Sequence, residues 1–416
     1  MATNIAGSIV LNGVQQLATG QRPKVTDLIL TPANAHRVTT QLSNMRGAAM
    51  KIGQIISMDS GDFLPKELAD ILSTLRSSAM HMPRSQLNNI LSSEWGEGWE
   101  FQFENFEYHP IAAASIGQVQ QTKLPSGERL AIKVQYPGIK ESIDSDVNNV
   151  AALLRMTGLL PAKLDVKPII EEGRKQLHEE ANYIREATYL SKFGELLAGD
   201  NNFEVPKYYP KLSTRRVLAM SYIDSVPIED MVYASQEERN RIVELLIDLT
   251  LRELFVYGVM QTDPNFANYR YNTKTNKLVL LDFGASRDIA KKVITTYRAI
   301  MQTSLSGTSQ DCFDLASKMG LIPPNVPSKY KSIFMELLEM ATEILQRDKT
   351  FDFGNNDIAL RMRDKVSVLA GQRDLWHVPP AEMIFIQRKF GGIYMLSTRL
   401  GAVINIHALI KKYVGA

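Results

Sequence analysis

Apolar residues recur at three- and four-residue spacing in the first part of the chain. Met45, Ala48, Ala49, Ile52, Ile55 and Ile56 form one stripe, which predicts an amphipathic helix, and Pro65 and Pro83 punctuate the region. Residues 1–95 are therefore expected to be mostly helical. Near Trp95 the pattern changes: Phe101, Phe103, Phe106 and Tyr108 sit in strand-like sequence. An alanine-rich segment from Ala112 to Val119, a turn at Leu124-Pro125-Ser126-Gly127 and the run Arg129-Leu130-Ala131-Ile132-Lys133-Val134 then predict strand, turn and strand. Period-two alternation puts Leu130, Ile132 and Val134 on one face, with Ala131 and Lys133 on the other.

Helical sequence follows over about 143–156 and 168–197, and short strands around 203–205 and 216–222 are expected to close a small sheet. From Glu237 the period is helical again, with Ile242, Leu245, Leu246, Leu249 and Leu254 on one face up to Gly258. A polar loop from Gln261 to Asn268 leads into a hairpin, with strands near 269–271 and 278–281 around a polar turn. The hairpin empties into Asp282-Phe283-Gly284, and the remainder to Ala416 reads as helical, without internal repeats.

Composition narrows the function classes. The chain has 416 residues, 44% apolar and 22% charged, enough for a sizeable core in two or three domains or lobes. Its 47 basic and 45 acidic side chains leave a net charge of +2, which gives no support to a nucleic-acid-binding role. The single cysteine, Cys312, excludes an internal disulfide and a cysteine-cluster metal site. No targeting segment is readable at the start, and no run reaches the roughly 18 apolar residues of a membrane span. The chain is expected in the cytoplasm or peripherally at the inner face of a membrane. Ile5, Ile9, Val10, Val14 and Leu17 offer an apolar face for such a contact, although packing against protein is the favoured use.

The polar residues that remain fall in an order that suits phosphoryl transfer, which needs cradled phosphates, held metal ions and a positioned acceptor. Lys133 ends a Leu130-Ala131-Ile132-Lys133 strand comparable to the kinase V-A-I-K strand, and the small Ala131 on its face could lie against adenine. Ala112, Ala114, Gly117 and Val119 meet the spacing of a kinase glycine-rich loop, with alanine at two glycine positions. Alanine resists the left-handed backbone there by roughly 1–2 kcal/mol, so phosphate handling is expected to change. Asp263 and Asn268 are spaced as in the D-x-x-x-x-N catalytic loop, where the aspartate accepts the acceptor's proton and the asparagine binds metal. Gln261-Thr262 stands where His-Arg is usual, and turn capping by Asp263 and Asn268 is an equally weighted reading of this loop alone. Asp282-Phe283-Gly284 follows an apolar strand and would hold Mg²⁺. The same string at Phe351-Asp352-Phe353-Gly354 lies in a polar, helical-looking setting and is read as structural.

Two further segments give the sequence a family resemblance. Lys51-Ile52-Gly53-Gln54 is a K-x-G-Q motif, and Ala112-Ala113-Ala114-Ser115-Ile116-Gly117-Gln118 an alanine-rich loop. Together with Gln261–Asn265 and Leu280–Gly284, they make the chain resemble the UbiB/ADCK atypical kinases, a group linked to ubiquinone biosynthesis, over about residues 40 to 400. The resemblance implies an α+β, protein-kinase-like two-lobed fold with an N-terminal helical extension covering the active site. The extension would be residues 1–94, the small lobe with its helical insertion 95–223 and the helical large lobe 224–416.

It implies ATP and Mg²⁺ as ligands, with Lys133, Asp263 and Lys51 as catalytic residues and Asn268 and Asp282 on the metal. Ala112, Ala114, Ser115, Gly117, Val119, Ala131, Met220 and Tyr222 would line the nucleotide site, and Glu186 would pair with Lys133. Gln54 and Glu180 would be regulatory. Glu180-Ala181-Asn182 stands at the family's E-x-D motif, where Asn182 replaces an aspartate. The expected activity is slow ATP hydrolysis or phosphorylation of a small molecule in support of lipid quinone synthesis, rather than protein phosphorylation. Lipid quinone precursors and quinone-biosynthesis enzymes are the implied partners. An ATP-gated scaffold for those enzymes is the alternative.

Overall fold

The computed structural model describes residues 81–114, 116–156, 167–323, 325–370 and 381–415. The stripe at 45–56, with Lys51 and Gln54, lies outside these residues, and so does Ser115. In chain order the first elements are helix α1 (Arg84–Trp95) and strands β1 (Asn105–Phe106), β2 (Ala112–Ala113), β3 (Gly117–Lys123) and β4 (Arg129–Gln135). Three helices follow, α2 (Ile139–Met156), α3 (Lys167–Glu180) and α4 (Tyr183–Leu196), then strands β5 (Phe203–Glu204), β6 (Val217–Ser221) and β7 (Val226–Pro227). Helix α5 (Gln236–Arg252) precedes β8 (Val259–Gln261), β9 (Tyr269–Asn272), β10 (Lys277–Leu280) and β11 (Ser286–Asp288). The rest is α6 (Lys291–Ser306), α7 (Ser309–Lys318), α8 (Ser328–Gln346), β12 (Phe351–Asp352), α9 (Ile358–Ala370), α10 (Ala381–Leu400), β13 (Val403–Ile404) and α11 (Ile406–Val414).

The chain divides into two compact units. One holds the residues up to Ile90 with Pro110–Val119 and Gln135–Ala181, the other Leu91–His109, Gln120–Val134 and Asn182–Ala416. In the first, β2 folds back on the start of β3, with Ala112 opposite Val119 and Ala113 opposite Gln118. The buried Gln118 amide accepts the backbone N–H of Met82 at 2.7 Å. Helices α2 and α3 bury Ile143, Val147 and Val150 and, on the other side, Ile170 and Leu177. Arg174 staples the pair, donating to Asp144 and to Asn148 at 2.8 Å each. The bond from Arg174, with a second from His178, holds the Asp144 carboxyl below its usual range.

In the second unit a sheet runs β1-β3-β4-β6. Leu130, Ile132 and Val134 are fully buried, as the alternation predicted, and Val217 and Ala219 of β6, opposite Val134 and Ile132, join the same core. Expected strand structure around 101–108 shrinks to the two residues of β1. A 3-10 turn at Trp99–Gln102 instead gathers an aromatic cluster in which Trp99 lies 4.8 Å from Phe106 and 5.7 Å from Trp95, centroid to centroid. Ring packing, rather than ladder hydrogen bonding, decides this segment.

The small sheet is closed by β6 but not by β5, which joins a second sheet, β5-β10-β9-β7, in parallel with β10. Asp200 fixes this choice. Its carboxylate accepts the Asn202 N–H at 2.9 Å and pairs with Arg252 at 2.9 Å, which leaves the Asn202 carbonyl to receive Leu278 N–H. The β9-β10 hairpin turns through Asn276 at φ +55°, a conformation asparagine tolerates.

Ser235 caps α5 by accepting the Glu238 N–H, and the helix buries Ile242, Leu246 and Leu249 along its apolar stripe. It ends in a π turn, Glu253–Tyr257, closed by Gly258 at φ +62°. The second Asp-Phe-Gly string is structural as read, but its setting is a strand and not a helix. Phe351 pairs with Ile404, Phe353 is buried against Tyr394, and Asp352 caps the turn through the N–H groups of Gly354 and Asn355.

Trp99, 1% exposed, should cost about 3–5 kcal/mol when cut to alanine. Phe101→Ala, at a ring 91% exposed, should stay within about 0.5 kcal/mol. Urea denaturation of both variants distinguishes them.

Candidate active site

The centre of the second unit is a buried lysine. Strand β4 presents Lys133 on the face opposite its apolar side chains, where the ammonium donates to both carboxylate oxygens of Glu186 at 2.8 and 2.9 Å. Asp282 Oδ2 is 3.5 Å away, and the ammonium lies 5.2 Å from the centroid of the Tyr183 ring. Lys133 and Glu186 are almost wholly buried, while the Asp282 side chain is 37% exposed. Burial pulls the lysine down, but the charges of Asp282 and Glu186 outweigh it and hold the ammonium well above its ordinary range.

Helix α4 supplies Glu186, and the local sequence starts the helix one turn earlier. Helix α3 stops at Glu180, and Asn182 caps α4 by accepting the Arg185 N–H at 3.1 Å. Aspartate caps equally well, so the replacement at this position preserves the helix start. Residues at helical spacing on α4 then grip the Asp282-Phe283-Gly284 segment. Arg185 donates to the carbonyls of Gly284, at 2.6 Å, and Ser286, while Tyr189 and Lys192 bind Asp288 at 3.1 and 2.8 Å. Phe193 meets the buried Phe283 ring at 5.0 Å. Asp282 Oδ1 accepts the Gly284 N–H at 2.9 Å, and a Cβ on Gly284 would stand 3.3 Å from that oxygen and 3.5 Å from Glu186.

The Asp263–Asn268 loop is fastened to the same segment. Strand β8 pairs antiparallel with β11, Gln261 opposite Ser286, and the Thr262 hydroxyl donates to the Ala285 carbonyl at 2.7 Å. Asn265 caps a 3-10 turn over Phe266–Asn268 by accepting the Ala267 N–H, and Asn268 Nδ2 donates to the Asp263 carbonyl at 3.3 Å. The Asp263 carboxylate is half-buried and accepts the Asn265 N–H at 3.4 Å. Asn268 and Asp282 line one small cavity with Glu253, Gln261, Tyr269 and Lys389.

Of the nucleotide-site candidates, Ala131 and Met220 are direct partners across β4 and β6, and Tyr222 N–H donates to Arg129. In the first unit, Ala112, Ala114, Gly117 and Val119 belong to the β2-β3 turn, closed by Ala114 N–H on the Gly117 carbonyl at 2.8 Å. Glu180 is the last residue of α3. Tyr183 and Arg185, which the sequence did not single out, stand one and three residues after Asn182, and the cap was their only signal. Glu253 and Lys389, also missed, are charges set within apolar helical stretches and 1% exposed.

Residues 74–315 match the ABC1 atypical kinase-like domain. The chain is 37% identical to the mitochondrial atypical kinase COQ8 of Saccharomyces cerevisiae, over 99% of this chain and 82% of the yeast protein. It is 34% identical to the mitochondrial atypical kinase COQ8B of Danio rerio, over 97% of this chain and 65% of that protein. Among solved structures, Rv3197 of Mycobacterium tuberculosis, determined in complex with erythromycin, aligns with a TM-score of 0.61 at 24% identity, covering 91% of this chain and 95% of that one. The class is thus a kinase-like α+β fold. The chain belongs to the ABC1 family of atypical kinase-like proteins. Among the described residues, no helix is long and apolar enough to cross a membrane.

Glu186→Gln removes one carboxylate from a buried pair but leaves Asp282, so the loss of stability should be about 3 kcal/mol, the low end for such pairs. Because the lysine's folded pKa is raised, its contribution is complete below the unfolded value of about 10.4 and fades only as pH rises through the higher folded value. The stability difference between parent and variant should therefore be constant from about pH 6 to 9. Urea midpoints across that range measure it.

Proposed function

We propose that the second unit binds Mg²⁺-ATP and that the protein is an ATP-dependent phosphotransferase or slow ATPase supporting lipid quinone synthesis. The observation that carries this reading is the Lys133 ammonium, held by Glu186 and 3.5 Å from Asp282. A lysine fixed in this way presents a charge to phosphate oxygens without having to be ordered when they arrive. Asp282, partly exposed, and Asn268, on the same cavity, suit Mg²⁺, which takes one or two carboxylates and completes its shell with phosphate and water. Bound there, Mg²⁺ would neutralise charge on the transferred phosphate. Asp263 would orient the attacking hydroxyl or water and take its proton. Ala131 and Met220 would flank the adenine. Lys51, Gln54, Ser115 and Glu180 keep their proposed roles from the family resemblance alone.

The acceptor is proposed to be water or a small phenolic quinone precursor. The family resemblance implies an alanine-rich phosphate loop, so turnover is expected below the roughly 1–100 s⁻¹ of protein kinases. The second reading is an ATP-gated scaffold for quinone-biosynthesis enzymes, in which hydrolysis is incidental.

Phosphate release from Mg²⁺-ATP by the purified protein, with and without vesicles carrying a phenolic quinone precursor, tests the proposal. Asp263→Asn should lower turnover by about 10²-fold or more while nucleotide affinity holds. Asp282→Asn should abolish Mg²⁺-dependent nucleotide binding. Unchanged turnover in Asp263→Asn, or fast stoichiometric phosphorylation of a protein, would overturn the reading. Rescue of a deletion strain by Asp263→Asn but not by Asp282→Asn would favour the scaffold.

A further inference from the structure

A second buried ion pair lies beside the Asp263–Asn268 loop, and the reading above gives it no task. Lys389 of α10 is 3.4 Å from Glu253, and both side chains are 1% exposed. The same ammonium donates to Gln261 Oε1 at 3.2 Å and to the Tyr269 hydroxyl at 2.5 Å. Gln261 immediately precedes Thr262-Asp263, and Tyr269 immediately follows Asn268. One cation therefore holds both ends of the loop that carries the two residues. The π turn that follows α5 begins at Glu253, the residue that meets the ammonium.

An independent contact involves the middle of the loop. Gly392 stands three residues after Lys389, on the same face of α10. A Cβ placed on it would fall 2.1 Å from Pro264 Cβ and 3.2 Å from the Pro264 carbonyl oxygen, so the helix meets the loop backbone where only glycine fits. Glycine in a helix interior is otherwise unfavourable by about 1 kcal/mol relative to alanine. Its exposed neighbour Gly391 has no atom within 4 Å of such a Cβ. A buried pair of this kind adds little net stability over a well-packed apolar replacement, which points to geometry as its task.

We infer that the Lys389–Gly392 face of α10, with Glu253, is the seat that positions the Asp263–Asn268 loop. Lys389 and Gly392 are positioning residues, acting on the reaction through that loop. Gln261-Thr262 occupies the place where a kinase loop carries His-Arg, and the fixed positive charge at the loop comes from α10 instead. The inference rests on the proposed roles of Asp263 and Asn268 for its effect on turnover, but not for its effect on the loop itself.

Hydrogen exchange of the full chain, followed in peptides covering 261–269, reads the loop without nucleotide. Gly392→Ala should speed exchange there about tenfold, whereas Gly391→Ala, with the same gain in helix propensity, leaves it unchanged. Lys389→Met alone strands Glu253 and risks unfolding, so it is paired with Glu253→Gln, which removes the buried charge and keeps the side chain's size. That double variant should melt near the parent temperature and still exchange faster at 261–269. Where the parent turns over ATP, Gly392→Ala and the double variant should lower kcat about 10–100-fold with KM for ATP held, the signature of a misplaced loop. Parental exchange in both variants would overturn the seat, whatever the activity. A parent without Mg²⁺-dependent nucleotide binding would overturn the ATP reading and leave the exchange result to decide the seat.

Discussion

An ammonium group buried between two carboxylates is the constraint that organises the second unit. Lys133 is 53 residues from Glu186 and 149 from Asp282, so the contact joins three remote parts of the chain. A lysine with so little access to water is tolerable only with opposite charge at hydrogen-bond distance, and losing one partner leaves the ammonium with a single carboxylate. Each neighbouring element serves this requirement. Strands β4 and β6 fix the height of the lysine, the Asn182 cap fixes where α4 starts, and the β8-β11 ladder ties the segment after Asp282 to the loop bearing Asp263 and Asn268.

Local patterns made part of this legible. Alternation along 130–134 separated Lys133 from its apolar neighbours, because a strand with one buried face records its orientation in every second residue. The apolar strand before Asp282-Phe283-Gly284 distinguished that string from its twin at 352–354. Glu186 is a different case. Helical spacing could not choose it over Glu179, since the segment read as one helix from 168 to 197. The chain breaks at Ala181 and Asn182, placing Glu179 on α3 and Glu186 on α4, and a short polar cap inside a continuous helical pattern leaves little trace in periodicity.

What stayed hidden was long-range. The Trp99 cluster reads as strand because aromatic residues favour strands, yet ring packing bent the segment into a 3-10 turn. The parallel partner of β5 lies some 75 residues away, beyond any local pattern. Glu253 and Lys389 carry no local signal that would single them out. Their meeting with Gln261 and Tyr269, 128 and 120 residues from Lys389, depends on how α10 lies across the loop.

The two buried ion pairs also differ in what they ask of the loop. Lys133 and Glu186 sit beside a carboxylate that is partly open to solvent, so a polyanion could compete for the ammonium and be received by it. Lys389 and Glu253 are closed off, and their remaining contacts are to Gln261 and Tyr269, uncharged side chains at the loop's two ends. A closed pair does not exchange its partners when a ligand arrives, and it therefore sets position without entering the chemistry. Glu253 and Lys389 line the cavity that Asn268 and Asp282 share, and Lys133 reaches it through Asp282. The first pair stands beside a carboxylate partly open to solvent, whereas the second is held between the two ends of the loop.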